Sequence, residues 1–325
     1  MLILITGSAG FIGHHLAKKL LDKKNFIIGI DSLNNYYSIK LKKIRNKILF
    51  NYSEKNNFRY KFYKFDLNNK KKLSYIFKKY KIDIVIHLAA QAGVRYSIEN
   101  PNVYIRSNLN GFFNILDLCR INNIKHFVYA STSSVYGNSK KYPINENMDS
   151  SKPLSLYSAT KKSNEVISYA YSNIYKIPCT GLRFFTVYGP LGRPDMSLFS
   201  FTKNIINKKE INIFNKGNHY RDFTYIDDCV SAIVKIINKP SKQPIPNQIF
   251  NIGKGHSVKL LYFIKLIETY LNLKARKIFF GLQKGDVQKT HSDIRKIKNS
   301  INFKPKIDIE LGVKKFTNWY VNFFK

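Results

Sequence analysis

Two side chains in the stretch YSATK, Tyr157 and Lys161, lie four positions apart in a helical pattern, so both project from one face of that helix. A phenol beside a fixed ammonium has its phenolate stabilised, which lowers its pKa toward the working range of a general base. In isolation such a pair is an ordinary surface contact. Upstream, STSSVYG at 131–137 places four hydroxyl residues after an apolar run, His126 to Ala130, that reads as a β-strand. Ser and Thr in that position commonly cap a helix or fill a turn. As chemistry they offer a nucleophile, or donors facing a substrate.

A third feature is GSAGFIG, with Gly7, Gly10 and Gly13 between the apolar run LILIT and a helical pattern bearing Leu16, Leu20 and Leu21. Glycines at a strand-to-helix junction permit the tight turn and let a pyrophosphate approach the helix N-terminus, where N–H groups and the dipole favour anions. Phe11 and Ile12, between the last two glycines, belong to the same expected cofactor loop. The spacing is GxxGxxG rather than GxGxxG, a modest signal alone. Asp31 strengthens it, ending the second apolar run, FIIGID, 18 residues after the last glycine. A carboxylate there accepts hydrogen bonds from an adenosine ribose and repels a 2′-phosphate. NAD is therefore expected rather than NADP.

The elements that must hold these groups follow from the pattern. LILIT, FIIGID, YKFYKFDL (60–67), DIVIHLAA (83–90), HFVYAST (126–132) and TGLRFFTVY (180–188) read as strands, with helical patterns at 68–80, 101–122 and 155–175. Unalternated apolar strands separated by helices predict a doubly wound α/β fold, a parallel Rossmann sheet covered on both faces. After 188 a Gly/Pro-rich loop, GPLGRPDM, opens a region of short strands and helices, while 226–238 and IFNIG (249–253) look like a returning helix and strand. The expected organisation is a dinucleotide-binding domain over 1–187 and 225–253. A smaller, interleaved C-terminal substrate-binding domain takes 188–224 and 254–325.

The 325 residues carry 55 Lys+Arg against 20 Asp+Glu, a net charge of +35. Such a balance suits nucleic acid, an anionic surface or an anionic substrate. The lysines are scattered, however, and accompany the Asn, Ile, Phe and Tyr that AT-rich coding favours, with no basic tail and no RNA-binding signature. No nucleic-acid partner is expected. Cys119, Cys179 and Cys229 are isolated, and the histidines do not cluster, which argues against disulfides or a metal site. No apolar run reaches bilayer length and the first residues lack a signal-peptide n-region, so a cytoplasmic protein without a membrane partner is expected.

Read together, HLAAQAGVRYSIENP (87–101), YASTSSVYG (129–137), LYSATKKSNE (156–165), GLRFFTVYGPLGRPDM (181–196) and RDFTYIDD (221–228) carry a family resemblance. The chain resembles extended short-chain dehydrogenase/reductases, and within them nucleotide-sugar epimerases, most closely the UDP-glucuronate 4-epimerases. The likeness is weakest over 40–60 and after 290. It implies a catalytic centre of Thr132, Tyr157 and Lys161, with Asp66 and Leu67 at the adenine. It also implies Ala89, Ala90 and Gln91 along the cofactor cleft, and Asn108 on the helix beside the catalytic strands. Arg221 matches a diphosphate-gripping arginine, a role that suits guanidinium, and Asp286 matches a carboxylate at the uridine ribose. Gln283 stands where galactose-type epimerases usually carry a second diphosphate arginine. A homodimer packing helices 101–122 and 155–175 is likewise implied.

The implied activity is 4-epimerisation of UDP-glucuronate to UDP-galacturonate through a transient 4-keto sugar, with tightly bound NAD. Thr132 would share a hydrogen bond with the sugar 4-OH and Tyr157. Ser133 and Ser134 stand where related 4,6-dehydratases resemble Asp-Glu, and serines cannot manage proton traffic near neutral pH. Arg193, then Arg95, are the candidates for holding a C6 carboxylate, with Thr186 as a neighbouring donor. A neutral UDP-sugar, UDP-glucose or its N-acetyl form, is the alternative substrate. A dinucleotide-sensing or RNA-binding protein on the same fold is the alternative outside catalysis.

Overall fold

The computed structural model describes residues 1–283 and 285–324. The first half alternates β1 (Leu2–Thr6), α1 (Phe11–Asp22), β2 (Phe26–Asp31), α2 (Ile39–Lys55), β3 (Tyr60–Lys64), α3 (Lys70–Lys79) and β4 (Ile84–His87). Short helices α4 (Tyr96–Glu99) and α5 (Pro101–Tyr104) lead through a π-helical turn, Ile105–Asn110, into α6 (Gly111–Ile121). Then come β5 (His126–Thr132), a 3₁₀ turn (Ser133–Tyr136), α7 (Leu156–Tyr175) and β6 (Cys179–Phe184). The remainder is β7 (Thr186–Tyr188), α8 (Ser197–Ile206), β8 (Glu210–Ile213), β9 (Tyr220–Tyr225), α9 (Ile226–Ile236) and β10 (Asn247–Ile252). It closes with β11 (Ser257–Lys259), α10 (Leu260–Leu271), β12 (Arg276–Phe279), α11 (Arg295–Ile301) and α12 (Ile309–Phe324).

Seven strands form one sheet in the order β10-β6-β5-β4-β1-β2-β3. β1 runs parallel to both β2 and β4, β2 to β3, and β4 to β5. This is the doubly wound Rossmann sheet that the unalternated strands predict: Ile3, Leu4 and Ile5 are all fully buried, because helices cover both faces. Leu4, Ile28, Val85, Phe127 and Tyr129 join Phe112, Ile115 and Leu116 of α6 in its core.

The chain divides into two compact units, Met1–Gly137 with Asp149–Arg183 and Val230–Phe250, and Asn138–Met148 with Phe184–Cys229 and Asn251–Lys325. The second has its own sheets, β11-β9-β7 and β12-β8. Its core includes the stacked rings of Phe223 and Phe263, with centroids 4.2 Å apart. Among the described residues no helix is long and apolar enough to cross a membrane.

Two elements differ from the sequence expectation, and a segment it left unassigned is a helix. The Lys/Asn-rich segment 40–60 is largely α2, whose buried face comprises Leu41, Lys42, Arg45, Leu49 and Ser53. The single helix expected over 101–122 contains the π turn, which carries Asn108 inward. TGLRFFTVY is two strands rather than one, parting at Phe185.

Candidate active site

The strand order reverses between β1 and β4, and in such sheets ligands bind beyond the carboxyl ends of the strands at the switch point. The glycine loop follows β1 there, opposite the segment after β4. Gly7 has φ +73°, and a Cβ on it would lie 2.8 Å from the Ala89 nitrogen. A Cβ on Gly13 would lie 2.2 Å from the Gly7 carbonyl oxygen. The loop is thus folded against itself and its neighbour as tightly as glycine alone permits, and α1 starts directly after it, at Phe11 and Ile12, with no side chain capping its N-terminus, the end of a helix that favours a phosphate. Thr6 Oγ1 accepts from the Ala89 nitrogen (3.3 Å), tying the two segments together. Ala90 is half-buried beside it.

Asp31 ends β2 and accepts from the backbone nitrogens of Leu33 (2.8 Å) and Ala9 (3.2 Å), so its carboxylate is aimed into the cofactor loop. Desolvation raises its pKa, against these two hydrogen bonds and the nearby cations of Lys42 and Arg45. Asp66 and Leu67 lie just beyond β3. Asp66 pairs with Arg106 at 3.4 Å, and Leu67 is buried. The donor set and the cradle fit a dinucleotide.

The second group gathers at the end of β5 and the first two turns of α7. Ser155 caps α7 through a capping box with Ser158, which fixes where the helix starts and hence where Tyr157 and Lys161 fall. The Tyr157 ring meets Tyr104 edge-on, with centroids 6.1 Å apart. The Tyr104 hydroxyl reaches the Ala92 (3.0 Å) and Gly93 (2.5 Å) carbonyls, holding the loop that carries the exposed Arg95. Lys161 is buried, and its Nζ donates to the Ala130 carbonyl (2.8 Å). Desolvation lowers its pKa to about 8. Thr132 Oγ1 accepts from the Ser134 nitrogen and donates to Ser134 Oγ, both at 3.2 Å, so it caps the 3₁₀ turn bearing Ser133 and Ser134. The hydroxyl run is a structural cap and a donor array at once.

Asn108 completes this group. Its Oδ1 accepts from the Gln91 nitrogen (2.8 Å), and its Nδ2 donates to the Gln91 carbonyl (3.0 Å) and to Thr160 Oγ1 (3.1 Å). One buried amide therefore joins the segment after β4 to α7, and the π turn supplies the extra residue that turns it inward.

In the second unit, Arg221 of β9 and Asp286 come together, with Nη2 to Oδ1 at 2.8 Å and His219 Nε2 3.5 Å from Oδ2. The Arg221 guanidinium also donates to the Gln288 carbonyl at 3.0 Å. Thr186 opens β7, half-buried. Arg193, expected to face a substrate carboxylate, is already engaged by Asp195 two residues on, Nε to Oδ1 at 3.1 Å with a second, shorter contact from Nη2.

Sequence reasoning missed Arg45 and Lys42. Arg45 is fully buried behind the glycine loop, donating to the Ala9 carbonyl (3.1 Å) and to the Tyr37 hydroxyl (2.7 Å). Lys42 Nζ donates to the Asn34 carbonyl at 2.7 Å. The available signal was the i, i+4, i+8 series Leu41, Arg45, Leu49, whereas the pair Lys42-Lys43 reads from sequence as a solvated helix face, and Lys42 is in fact buried.

A phosphate loop at the switch point, an acidic residue ending β2 and a Tyr/Lys pair beside a hydroxyl-ended strand define a dinucleotide-dependent enzyme of the short-chain dehydrogenase type. Residues 3–253 match the NAD dependent epimerase/dehydratase family, and the chain belongs to it. It is 48% identical to Protein CapI of Staphylococcus aureus, with all of both chains covered. It is 40% identical to UDP-glucuronate 4-epimerase 1 of Arabidopsis thaliana, covering 99% of this chain and 77% of that one. The fold matches the crystal structure of UDP-glucuronic acid 4-epimerase from Bacillus cereus, in complex with UDP-glucuronic acid and NAD, with a TM-score of 0.92 and 33% identity. That match covers 99% of this chain and all of the other.

Proposed function

We propose that the protein is an NAD-dependent UDP-glucuronate 4-epimerase, interconverting UDP-glucuronate and UDP-galacturonate. The observation that carries this reading is the end of β5. Thr132, Ser133 and Ser134 present hydroxyls there, beside the helix that bears Tyr157 and Lys161. When bound, NAD would supply the hydride acceptor and donor for C4 of the sugar.

The remaining tasks fall to the chain. Tyr157 accepts the 4-OH proton and gives it back, and the Lys161 ammonium favours its phenolate. Thr132 donates to the sugar oxygen. Ser133 and Ser134 supply hydrogen bonds but no acid, so a 4-keto sugar is re-reduced rather than dehydrated. Gly7, Gly10, Phe11, Ile12 and Gly13 hold the pyrophosphate, Asp31 the adenosine ribose, and Asp66 with Leu67 the adenine. Ala89, Ala90, Gln91 and Asn108 line the cleft. Arg221 grips the diphosphate, released in part from Asp286, which turns to the uridine ribose. An incoming C6 carboxylate competes with Asp195 for Arg193, with Thr186 and Arg95 as further donors. In this reading the two expected domains divide the work between cofactor and sugar nucleotide.

The same reading makes the protein a cytoplasmic homodimer with no nucleic-acid partner. Phe113 and Ile121 of α6, and Val166, Tyr169 and Ile174 of α7, are exposed apolar side chains on the two helices expected to pair. Offering the purified protein UDP-glucuronate, UDP-glucose and UDP-N-acetylglucosamine separately tests the substrate assignment. Preference for UDP-glucuronate supports it, and preference for either neutral sugar defeats the uronate assignment.

A further inference from the structure

α7 carries Tyr157 and Lys161, yet its buried residues are Ser158, Thr160, Lys161, Asn164, Glu165, Ser168 and Ser172, without one apolar side chain. Its apolar contacts with the core, from the partly buried Ile167 and Tyr171, lie C-terminal to Tyr157 and Lys161 and leave its first turns to be registered otherwise. Directional hydrogen bonds must do so, and two fall on consecutive residues at the end of β5. The Ala130 carbonyl accepts from Lys161 Nζ at 2.8 Å, and Ser131 Oγ donates to Glu165 Oε1 at 2.7 Å. Lys161 and Glu165 are one helical turn apart, so α7 is stitched to the strand immediately before Thr132.

Glu165 is itself held in a fork. Arg183 of β6 donates from Nε to Oε1 and from Nη2 to Oε2, both at 2.8 Å, and the two side chains are each 2% exposed. The guanidinium also lies over the Tyr136 ring, 4.6 Å from its centroid, at the end of the turn that bears Ser133 and Ser134. One buried ion pair therefore touches the strand, the helix and the turn that carry the proposed catalytic and donor groups.

A buried ion pair is weak evidence for stability, since apolar residues of like volume often replace it without loss. What apolar residues cannot replace is the directed bond to Ser131. We propose that Glu165 and Arg183 are positioning residues, whose ion pair acts through Ser131 to set the register of α7 on β5 and so the placement of Tyr157 relative to Thr132. This rests on the roles given to Tyr157 and Thr132 above. Lys162, 3.4 Å from Glu165 Oε2, adds a half-exposed cation but no contact to the strand.

Ser131→Ala isolates the link, removing one hydroxyl while leaving the ion pair in place. Ser131→Thr restores the hydroxyl. The readouts are kcat and KM for UDP-glucuronate, NAD retained through purification, melting temperature, and hydrogen exchange of α7 amides. Ser131→Ala should lower kcat about tenfold or more, the scale of a small misplacement of reacting groups. KM, retained NAD and melting temperature should stay close to wild type, amide exchange over 156–165 should quicken, and Ser131→Thr should recover most of the loss. Glu165→Gln should lower kcat further, with a lower melting temperature.

An Ser131→Ala protein with wild-type kcat and unchanged α7 exchange overturns the proposal, as does a kcat loss that merely follows lost NAD or lost melting temperature. Should the wild type fail to turn over UDP-glucuronate, the functional reading falls. The exchange measurement then still decides whether Ser131 and its ion pair register the helix.

Discussion

Replacing Lys161 with methionine separates what the side chain does for the fold from what it does for the chemistry. Burial takes its pKa from 10.5 to about 8. At 1.36 kcal/mol per pKa unit, holding that ammonium inside the protein at neutral pH costs the fold about 3 kcal/mol. The sign follows from linkage. A lysine whose folded pKa lies below its unfolded value destabilises while charged; the cost is complete below about pH 8 and fades as pH rises toward 10.5. Lys161→Met removes this cost but leaves the Ala130 carbonyl without its donor, a loss of about 1–3 kcal/mol. The carbonyl term does not depend on pH, whereas the lysine term does.

Urea unfolding of the cofactor-stripped proteins at about pH 7 and about pH 9.5 separates the two. Relative to wild type, the mutant should lose about 2 kcal/mol of its advantage between those pH values. Its epimerase activity should be nearly abolished at both. A stability difference that is the same at both pH values would refute the assignment of a buried, depressed Lys161.

Asp31→Ala should abolish the preference for NAD over NADP, read by titrating each dinucleotide into stripped protein; NADP recovered from the wild type would contradict the role given to Asp31. Tyr157→Phe keeps the ring against Tyr104 and should lower kcat by roughly two to four orders of magnitude with little change in substrate affinity. Arg193→Ala should weaken UDP-glucuronate binding by about 1.5–3 kcal/mol, the range for hydrogen bonds to charged groups, and leave UDP-glucose unaffected. Equal effects on both sugars would remove Arg193 from the carboxylate site.

The parallel sheet was legible because strands buried on both faces lose their alternation, as in LILIT and DIVIHLAA, and the glycine loop because Gly7 and Gly13 meet backbone where a Cβ would sit. α2 was not, because its inward face is partly cationic: Lys42 and Arg45 are buried on carbonyl oxygens that only the tertiary fold brings near. The π turn was invisible for a similar reason, since it serves the bonds of Asn108 to Gln91 and Thr160, the latter far away in sequence. Tyr157 and Lys161 could be paired from helical spacing, whereas Arg221 and Asp286 are 65 residues apart and meet only in the folded unit. Asp195 was in plain sight beside Arg193, but sequence does not say that the two engage.

In the proposed reaction the site oxidises C4 and re-reduces it, with no proton exchanged at carbon. Proton NMR in D₂O tests it most directly, using purified protein and UDP-glucuronate with no dinucleotide added. Epimerisation by this route gives a growing anomeric signal of UDP-galacturonate whose sugar carbons, C4 included, carry no deuterium. Absence of that signal, or deuterium at C5, would contradict it.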